Sequence, residues 1–584
     1  MTRYVVVATH SVSQPELEAQ AASSVIQFLD ADLQEIGHPM VNFGSASLAA
    51  AARDITQKHP TARWVWSDTT RWYRRILEAD AATRPARPIA IQRAHDLRLT
   101  RNLLRFAANT VRTSYIDEIS ADWHEENHGT LTQFLPENDP GASPQETLFE
   151  PHKEKNASLE YQIAELRLQF AAIPHSPAGN RLRMLIAAES AGAIAATEMG
   201  FFGLPWNETE HKRLLEEALG TETPHGQRPP KLQALAEEIT QLLYTPSLNP
   251  DSPQDLVRAL QRNGIPVNST SKWELKGKDH PVIEPLLRYK KMYRLYTANG
   301  WHWLKTWVRD GRFHPEYVVG GVITGRWASR GGGALQIPRG IREAVLAEPG
   351  WKLVVADASQ LEPRILAAMS RDEGLSTASR GKDLYESVAE QGFGGDRAHA
   401  KVAMLGAMYG ATTGESARLM PTLRKLYPTA IAALEKAARS GEQGGVVSTH
   451  LGRTTPAPGP RWLSSQQTST QEEQARAGNI ARTRGRYTRN FLVQGSAAEW
   501  ALMWIAELRR QLATVFVEDD DASRPELVFF LHDEIMVHTP ERLADRVHEC
   551  VLDAAAQATR WMFGDTTVEF PLTVAIVDRY SDAK

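Results

Sequence analysis

At 584 residues, with 42% hydrophobic and 23% charged, the chain has a globular composition and is too long for one ordinary core, so it divides into two to four domains. A formal net charge of −4 excludes nucleic-acid binding through a general excess of positive charge; any such binding must rest on local clusters. The one cysteine, Cys550, excludes an intrachain disulfide and a cysteine-rich zinc site. No run approaches the roughly 20 apolar residues of a membrane span, and a cytoplasmic location is expected.

In chain order, residues 1–110 alternate short apolar runs, at 4–8, 62–66 and 88–92, with Ala-rich helical stretches. That alternation predicts a small α/β domain. Met1-Thr2-Arg3-Tyr4-Val5-Val6-Val7 reads as a strand and not as a signal peptide. Residues 122–156 are polar and rich in Pro, Glu, Asn and Gly, a long loop or linker. Helices dominate 157–310 and include the basic cluster Arg288-Tyr289-Lys290-Lys291-Met292-Tyr293-Arg294, either a nucleic-acid-binding face or a solvated one. From 312 strands and helices alternate again, with Gly331-Gly332-Gly333 as a flexible break. Residues 456–478 form a polar, mobile excursion, followed by a second basic cluster, Arg482-Thr483-Arg484-Gly485-Arg486. Glu518-Asp519-Asp520-Asp521 reads as a solvated hairpin tip, and Cys550 packs in an apolar-periodic C-terminal helix.

Two distant segments deliver carboxylates from the ends of apolar runs. Leu353-Val354-Val355-Ala356 leads into Asp357-Ala358-Ser359-Gln360-Leu361-Glu362-Pro363-Arg364, and Val528-Phe529-Phe530-Leu531 leads into His532-Asp533-Glu534. Carboxylates presented this way suit a pair of divalent cations that activate one oxygen and stabilise another in phosphoryl transfer. Between them, Arg397, Lys401 and nearly Tyr409 share one helical face. Carboxylates, a cationic helix and more carboxylates read as a nucleotidyl transferase acting on a triphosphate. Loop carboxylates or helix caps are the alternative for either acidic segment alone.

These segments, with Thr324-Gly325-Arg326, Leu335-Gln336-x-Pro338 and Arg486-x-x-x-Asn490-x-x-x-Gln494-Gly495, identify the chain as resembling the family A DNA polymerases. The resemblance is strong from about residue 180 and faint before it. It implies an α/β multidomain chain with an α+β palm in a right-hand polymerase fold. A degenerate, ribonuclease H-like 3′–5′ exonuclease-type domain with linker covers 1–175, the thumb 176–310, the palm 311–372 and 486–584, and the fingers 373–485. It implies primer-template DNA and deoxynucleoside triphosphates as partners of a monomer, and two Mg²⁺ ions, replaceable by Mn²⁺, on Asp357, the Ala358 carbonyl and Asp533. Glu534 becomes a weaker or outer ligand. Arg397 and Lys401 grip the triphosphate, while Gln360, Glu362, Leu405 and Tyr409 line the nucleotide site, Glu362 as a gate against a ribose 2′-hydroxyl. Arg326, Arg486, Asn490, Gln494 and His532 contact the minor groove. His399 lies on another face of the helix.

The chain departs from the family pattern at Leu405, which replaces an aromatic residue, at Met404, and at Ala358. In the exonuclease-type domain, Ala8, His10 and Tyr73 stand where carboxylates are expected, so loss of proofreading is expected. Tyr161 and Glu165 make only a loose match to a remaining motif. The competing readings are a weakly catalytic DNA-binding protein keeping the fold, a polymerase with residual 3′–5′ exonuclease activity, and a single-subunit RNA polymerase, against which Glu362 argues.

Overall fold

The architecture comes from a computed structural model that describes residues 2–9, 23–83, 88–126, 158–224, 226–330, 337–381, 383–410, 414–515 and 524–583. His10, Gly331-Gly332-Gly333, Leu335, Gln336, most of the 122–156 linker and the acidic run 518–521 lie outside the described residues.

The N-terminal domain is built on a five-stranded sheet of β1 (Tyr4–Thr9), β2 (Ser23–Leu29), β3 (Glu35–Phe43), β4 (Arg63–Trp66) and β5 (Ala94–Asp96), in the order β3-β2-β1-β4-β5. The first three strands pair antiparallel and the last two join in parallel, a ribonuclease H-like arrangement. Period-two alternation in β1 feeds two cores. Val5 and Val7 face helices that supply Leu48, Trp72 and Tyr73. Tyr4, Val6 and Ala8 face Leu97 and the helix Leu159–Ala171. The expected strand at 88–92 is displaced to β5. Pro88 has no N–H to give, and the Ile89 N–H is taken by Asp80 Oδ2 at 2.7 Å, so neither can enter a ladder.

Helix α1 (Pro177–Phe202) starts where Ser176 caps the Gly179 N–H and Pro177 occupies the first turn. By length and composition it could cross a membrane, contrary to the sequence expectation, and 67% of its most apolar stretch is buried inside the protein. It belongs to the palm core with Leu353, Trp500 and Phe529, while the thumb has its own core from Leu232 to Tyr289.

The palm sheet contains β6 (Trp351–Ala358), β7 (Glu526–Leu531), β8 (Glu534–Pro540) and β9 (Leu572–Val577), ordered β7-β8-β6-β9 with every neighbour antiparallel. The fingers pack around Leu366, Leu384, Ala403 and Leu434. Helix α2 (Leu361–Ser370) follows β6, and α3 (Arg397–Tyr409) crosses the fingers. Helix α4 (Gln471–Val515) runs continuously through the fingers–palm boundary placed at 485/486; Val493 packs with the fingers and Trp500 with the palm.

The polar stretch 456–478 is ordered instead of mobile. It contains a helix at Pro460–Ser465 and the start of α4, where Thr470 Oγ1 accepts from Glu473 N and Glu473 Oε2 accepts from Ser469 N and Thr470 N. This reciprocal cap satisfies donors at the helix start. Arg484 is buried, donates to the Gly445 and Pro456 carbonyls and lies 5.7 Å from the centroid of the Trp462 ring. It is a structural member of its basic cluster. In the thumb cluster, Tyr289 is tied to Asp251 and Lys290 to Thr270, which leaves Arg288, Lys291 and Arg294 exposed.

The N-terminal domain is bolted to the palm through buried polar groups. Tyr73 donates to Glu198 Oε1 at 2.6 Å, and Arg509 on α4 donates to both Glu198 oxygens at 2.6 Å and to the Ile91 carbonyl at 2.6 Å. Removing the carboxylate leaves a buried guanidinium uncompensated, a change that costs about 3–5 kcal/mol. Glu198→Ala is expected to lower unfolding free energy by that amount in urea titration, while Glu78→Ala on the exposed Arg74 pair changes it by under about 1 kcal/mol.

Candidate active site

The two acidic segments meet because β6 and β8 lie side by side. Asp357 is in register with Glu534, and the Ala358 N–H donates to the Asp533 carbonyl at 2.8 Å. Asp533 sits in the tight β7–β8 turn behind His532, whose φ of 57° is left-handed. Gln360, at the start of α2, has φ 51°. Such backbone costs a non-glycine residue about 1–2 kcal/mol, and both residues border the same site.

That site is a cleft of about 190 Å³ whose lining includes Arg326, Gln360, Glu362, Leu405, Tyr409 and Asp533. Glu362 is held from two sides: Arg326 Nη2 donates to Oε1 at 2.6 Å and the Tyr409 hydroxyl donates to Oε2 at 2.6 Å. Burial, then the Glu362 charge, push the Tyr409 phenol up, so it remains a neutral donor. Gln360 Oε1 accepts from Leu384 N at 3.0 Å and Arg364 Nη2 at 3.2 Å.

Asp533 has its carboxyl pushed up to about 6, first by burial and then by the neighbouring Asp357 charge, with Arg326 opposing. His532 is pushed down to about 4 by burial and then by Arg326, so its ring is neutral near pH 7. Glu534 is buried and faces Tyr580, whose phenol it raises after burial itself. Among the described residues no group of three or more His, Cys, Asp or Glu forms a ready-made metal cage. The pair fits Mg²⁺ nonetheless. That ion keeps several waters and binds through one or two carboxylates plus substrate phosphates, and two carboxylates that repel each other's ionisation are a pair that a cation relieves.

Helix α3 forms the facing wall. Asp396 caps it by accepting from Ala398 N and His399 N, and Gly410 ends it with φ 73°. A Cβ at 410 would lie 2.8 Å from Arg486 Cγ, so both backbone and space demand glycine. Arg397, Lys401, Leu405 and Tyr409 recur every four residues on one stripe. Arg397 Nη2 pairs with Asp383 Oδ2 at 2.8 Å, Lys401 is exposed, and Leu405 is half-buried on the cleft. Met404 is buried, and His399 is exposed and pairs with Asp396 at 3.0 Å.

Arg486, Asn490 and Gln494 share a stripe of α4, each half-buried. Arg486 donates to Thr483 Oγ1 at 2.8 Å. Among the described residues, Asn490 Oδ1 and His532 Nδ1 are buried atoms without a hydrogen-bond partner, the state expected of groups awaiting a ligand or water. Arg326 does not stand alone as a groove-reading residue: it pairs with Glu362. Sequence reasoning passed over Asp383 and Tyr385, which sit beside Arg397, and the hub role of Arg364. An aspartate opening an amphipathic helix at 383 was the available signal.

In the N-terminal domain, Ala8 and Tyr73 are buried, Tyr73 on Glu198. Glu165 accepts from Tyr115 and Gln169, and Tyr161 from Arg101.

The family model of DNA polymerase family A matches residues 225–580. The chain is 25% identical over 375 residues to the thermostable DNA polymerase I of Thermus thermophilus, covering 56% of this chain and 41% of the relative. It is 29% identical over 297 residues to DNA polymerase I of Chloroflexus aurantiacus, covering 45% and 29%. The chain thus spans less than half the length of these curated relatives. Its fold resembles the POL domain of Pol1 from M. smegmatis, solved in complex with DNA primer-template and dNTP, at TM-score 0.66 and 18% identity over 100% of this chain and 96% of that one.

The Asp533 shift carries a pH dependence. Its folded value, about 6, lies above the ordinary 3.8, so its contribution to stability is present below about pH 4 and lost as pH rises through 6. A divalent cation competes with that proton. Mn²⁺ is expected to raise the melting temperature little at pH 5 and clearly at pH 7, and Asp533→Asn is expected to abolish the pH-dependent part of the rise, read by calorimetry with and without metal.

Proposed function

Because this chain belongs to DNA polymerase family A, we propose that it extends a primer 3′ end along a DNA template with deoxynucleotides, in repair or replication. The observation that carries the reading is the meeting of Asp357, near the end of β6, with Asp533, in the β7–β8 turn beside it, opposite the cationic stripe of α3. Bound Mg²⁺, or Mn²⁺ in its place, on Asp357, Asp533 and the Ala358 carbonyl would activate the attacking 3′ oxygen and stabilise the leaving one.

The protein's own groups do the rest. Arg397 and Lys401, one turn apart, neutralise the triphosphate and the departing pyrophosphate. Asp383 holds the Arg397 guanidinium before substrate arrives. Glu362, fixed by Arg326 and Tyr409, stands rigid against C2′ of the sugar. Arg486, Asn490, Gln494 and His532 present polar atoms to minor-groove acceptors that every base pair shares, so they test pair geometry without reading sequence. A monomer working on the nucleoid in the cytoplasm completes the reading.

The same reading includes no proofreading. A two-metal nuclease needs carboxylates to hold its ions. Ala8 has none, and Tyr73 is committed to Glu198.

In primer extension with Mg²⁺, Asp533→Ala is expected to lose at least about 1,000-fold in rate, about 4 kcal/mol of barrier, while DNA binding persists by anisotropy. Wild type should leave the 3′ end of single-stranded DNA intact. A wild type that binds primer-template but extends nothing would point to the DNA-binding reading, and steady 3′ trimming to residual exonuclease activity. Glu362→Ala is expected to raise relative ribonucleotide incorporation about tenfold or more, a kcal/mol-scale change; an unchanged deoxy-to-ribo ratio would place the gate elsewhere.

A further inference from the structure

Arg326 and Gln494 stand on different elements, and one short loop packs between their immediate neighbours. The loop from Ser448 to Thr454 is closed by a bridge between those two residues and by the Thr449 N–H, which donates to the Arg453 carbonyl at 2.8 Å. It is clamped to α4. Glu499 accepts from Leu451 N at 2.9 Å and from the Thr449 hydroxyl, and Ser496 Oγ accepts from His450 N at 3.0 Å. Gly495 follows Gln494 on the same helix, and a Cβ there would lie 2.5 Å from Thr449 Cγ2.

The other side of the loop carries Arg453. Its Nη2 donates to Glu189 Oε1 on α1, and both residues are buried. Burial pushes the Arg453 guanidinium down to about 10, with the Glu499 charge opposing, so it stays a cation at neutral pH. That guanidinium lies against the backbone of Gly325. A Cβ at 325 would stand 2.6 Å from Arg453 Nε and 2.7 Å from Cζ, and the φ of 85° also demands glycine. The Gly325 N–H donates to the Val322 carbonyl at 2.8 Å, and the Val322 N–H donates to the Arg326 carbonyl at 3.2 Å. This tight turn presents Arg326 to Glu362. The N-terminal domain closes the housing: Leu99 and Leu103 wall a cavity of about 30 Å³ together with Glu189, Gly320 and Arg453, and the Ala108 N–H donates to Thr454 Oγ1 at 3.2 Å. Buried ion pairs are often no more stabilising than apolar residues of similar volume. What this pair adds is a fixed, planar group behind the turn.

Resting on the polymerase reading above, we propose that Arg453, held by Glu189, is a positioning residue that sets Arg326 at a fixed span from Gln494 and so sharpens the shape test on the terminal base pair. Arg453 itself touches no substrate. It acts through the Gly325-Arg326 turn on one side, while Thr449 seats the same loop on α4 beside Gln494.

The test is steady-state primer extension by the full chain on primers ending in a matched or a mismatched pair, with deoxy- and ribonucleotides compared on the matched primer. The variants are Arg453→Lys, Glu189→Gln, the double variant Glu189→Gln/Arg453→Met, and Glu198→Ala as a control at the domain junction, with a melting temperature for each. Arg453→Lys keeps a cation for Glu189 but loses the planar fork. It is expected to lower the matched-over-mismatched ratio of kcat/KM about three- to tenfold, the scale of one weakened hydrogen bond. The deoxy-to-ribo ratio should fall with it, because Arg326 also holds Glu362. Glu189→Gln should act in the same direction with a larger loss in melting temperature, since it leaves a buried cation unpaired. The double variant removes both charges and should regain melting temperature without regaining the matched preference. Glu198→Ala should melt lower and keep the wild-type preference.

A matched preference unchanged in both Arg453→Lys and the double variant would overturn the proposal. So would a loss of preference that appears equally in Glu198→Ala, or that returns with melting temperature in the double variant, since either pattern belongs to stability alone. A wild type that extends no primer would overturn the polymerase reading and the proposal with it, and that result is seen before any variant is compared.

Discussion

The site depends on one register. Asp357 faces Glu534 across β6 and β8, and the Ala358 N–H bonds the Asp533 carbonyl. Side chains alternate faces along a strand, so a slip of one residue would turn Asp357 away from Asp533. The register is protected by its own core. Leu353, Val354, Val355 and Ala356 are fully or nearly fully buried between β8 and β9, and Phe529, Met536 and Val537 cover the same sheet. Hydrophobic burial thus holds two carboxylates near each other, and the Asp533 carboxyl is shifted upward, first by burial and then by the Asp357 charge.

A second layer ties that sheet to the fingers. Arg364, fully buried on α2, donates to the carbonyls of Ser359, Ser379, Glu569 and Gly381, and to Gln360 Oε1. Burial pushes its guanidinium down to about 10, with Glu569 and Asp383 opposing. It remains a cation at neutral pH, and its fork geometry lets one side chain satisfy five acceptors. The turn carrying Gln360 in left-handed backbone is thereby braced from below, while Glu362 one step on is braced from above by Arg326 and Tyr409. Palm and fingers meet at this junction, beside the cleft.

Much of this was legible in the chain. Both carboxylate segments announced themselves as charged ends of β-rich runs, and Arg397, Lys401 and nearly Tyr409 were visible on one helical face. What was not legible has physical causes. Glu35–Phe43 forms an edge strand whose residues are almost all exposed, so it has no burial alternation to betray it, and Pro39 is tolerated only because the edge needs fewer donors. Residues 456–478 look like loop by polarity, yet Thr470 and Glu473 form a capping box that starts a 45-residue helix. Arg484 was misjudged because a basic cluster gives no sign of which member is buried.

Tyr73 links the N-terminal domain to the helix that carries Glu198. The resemblance to the family expects a carboxylate there, a group that needs metal or water. A phenol on the same helix reaches instead to Glu198, and Arg509 completes the contact from α4. Arg509 lies on the helix that also carries Arg486, Asn490 and Gln494. Helix α4 is therefore fixed at its far end by the N-terminal domain and along its middle by the palm core. The N-terminal domain is in this way joined to the element that presents the polar stripe.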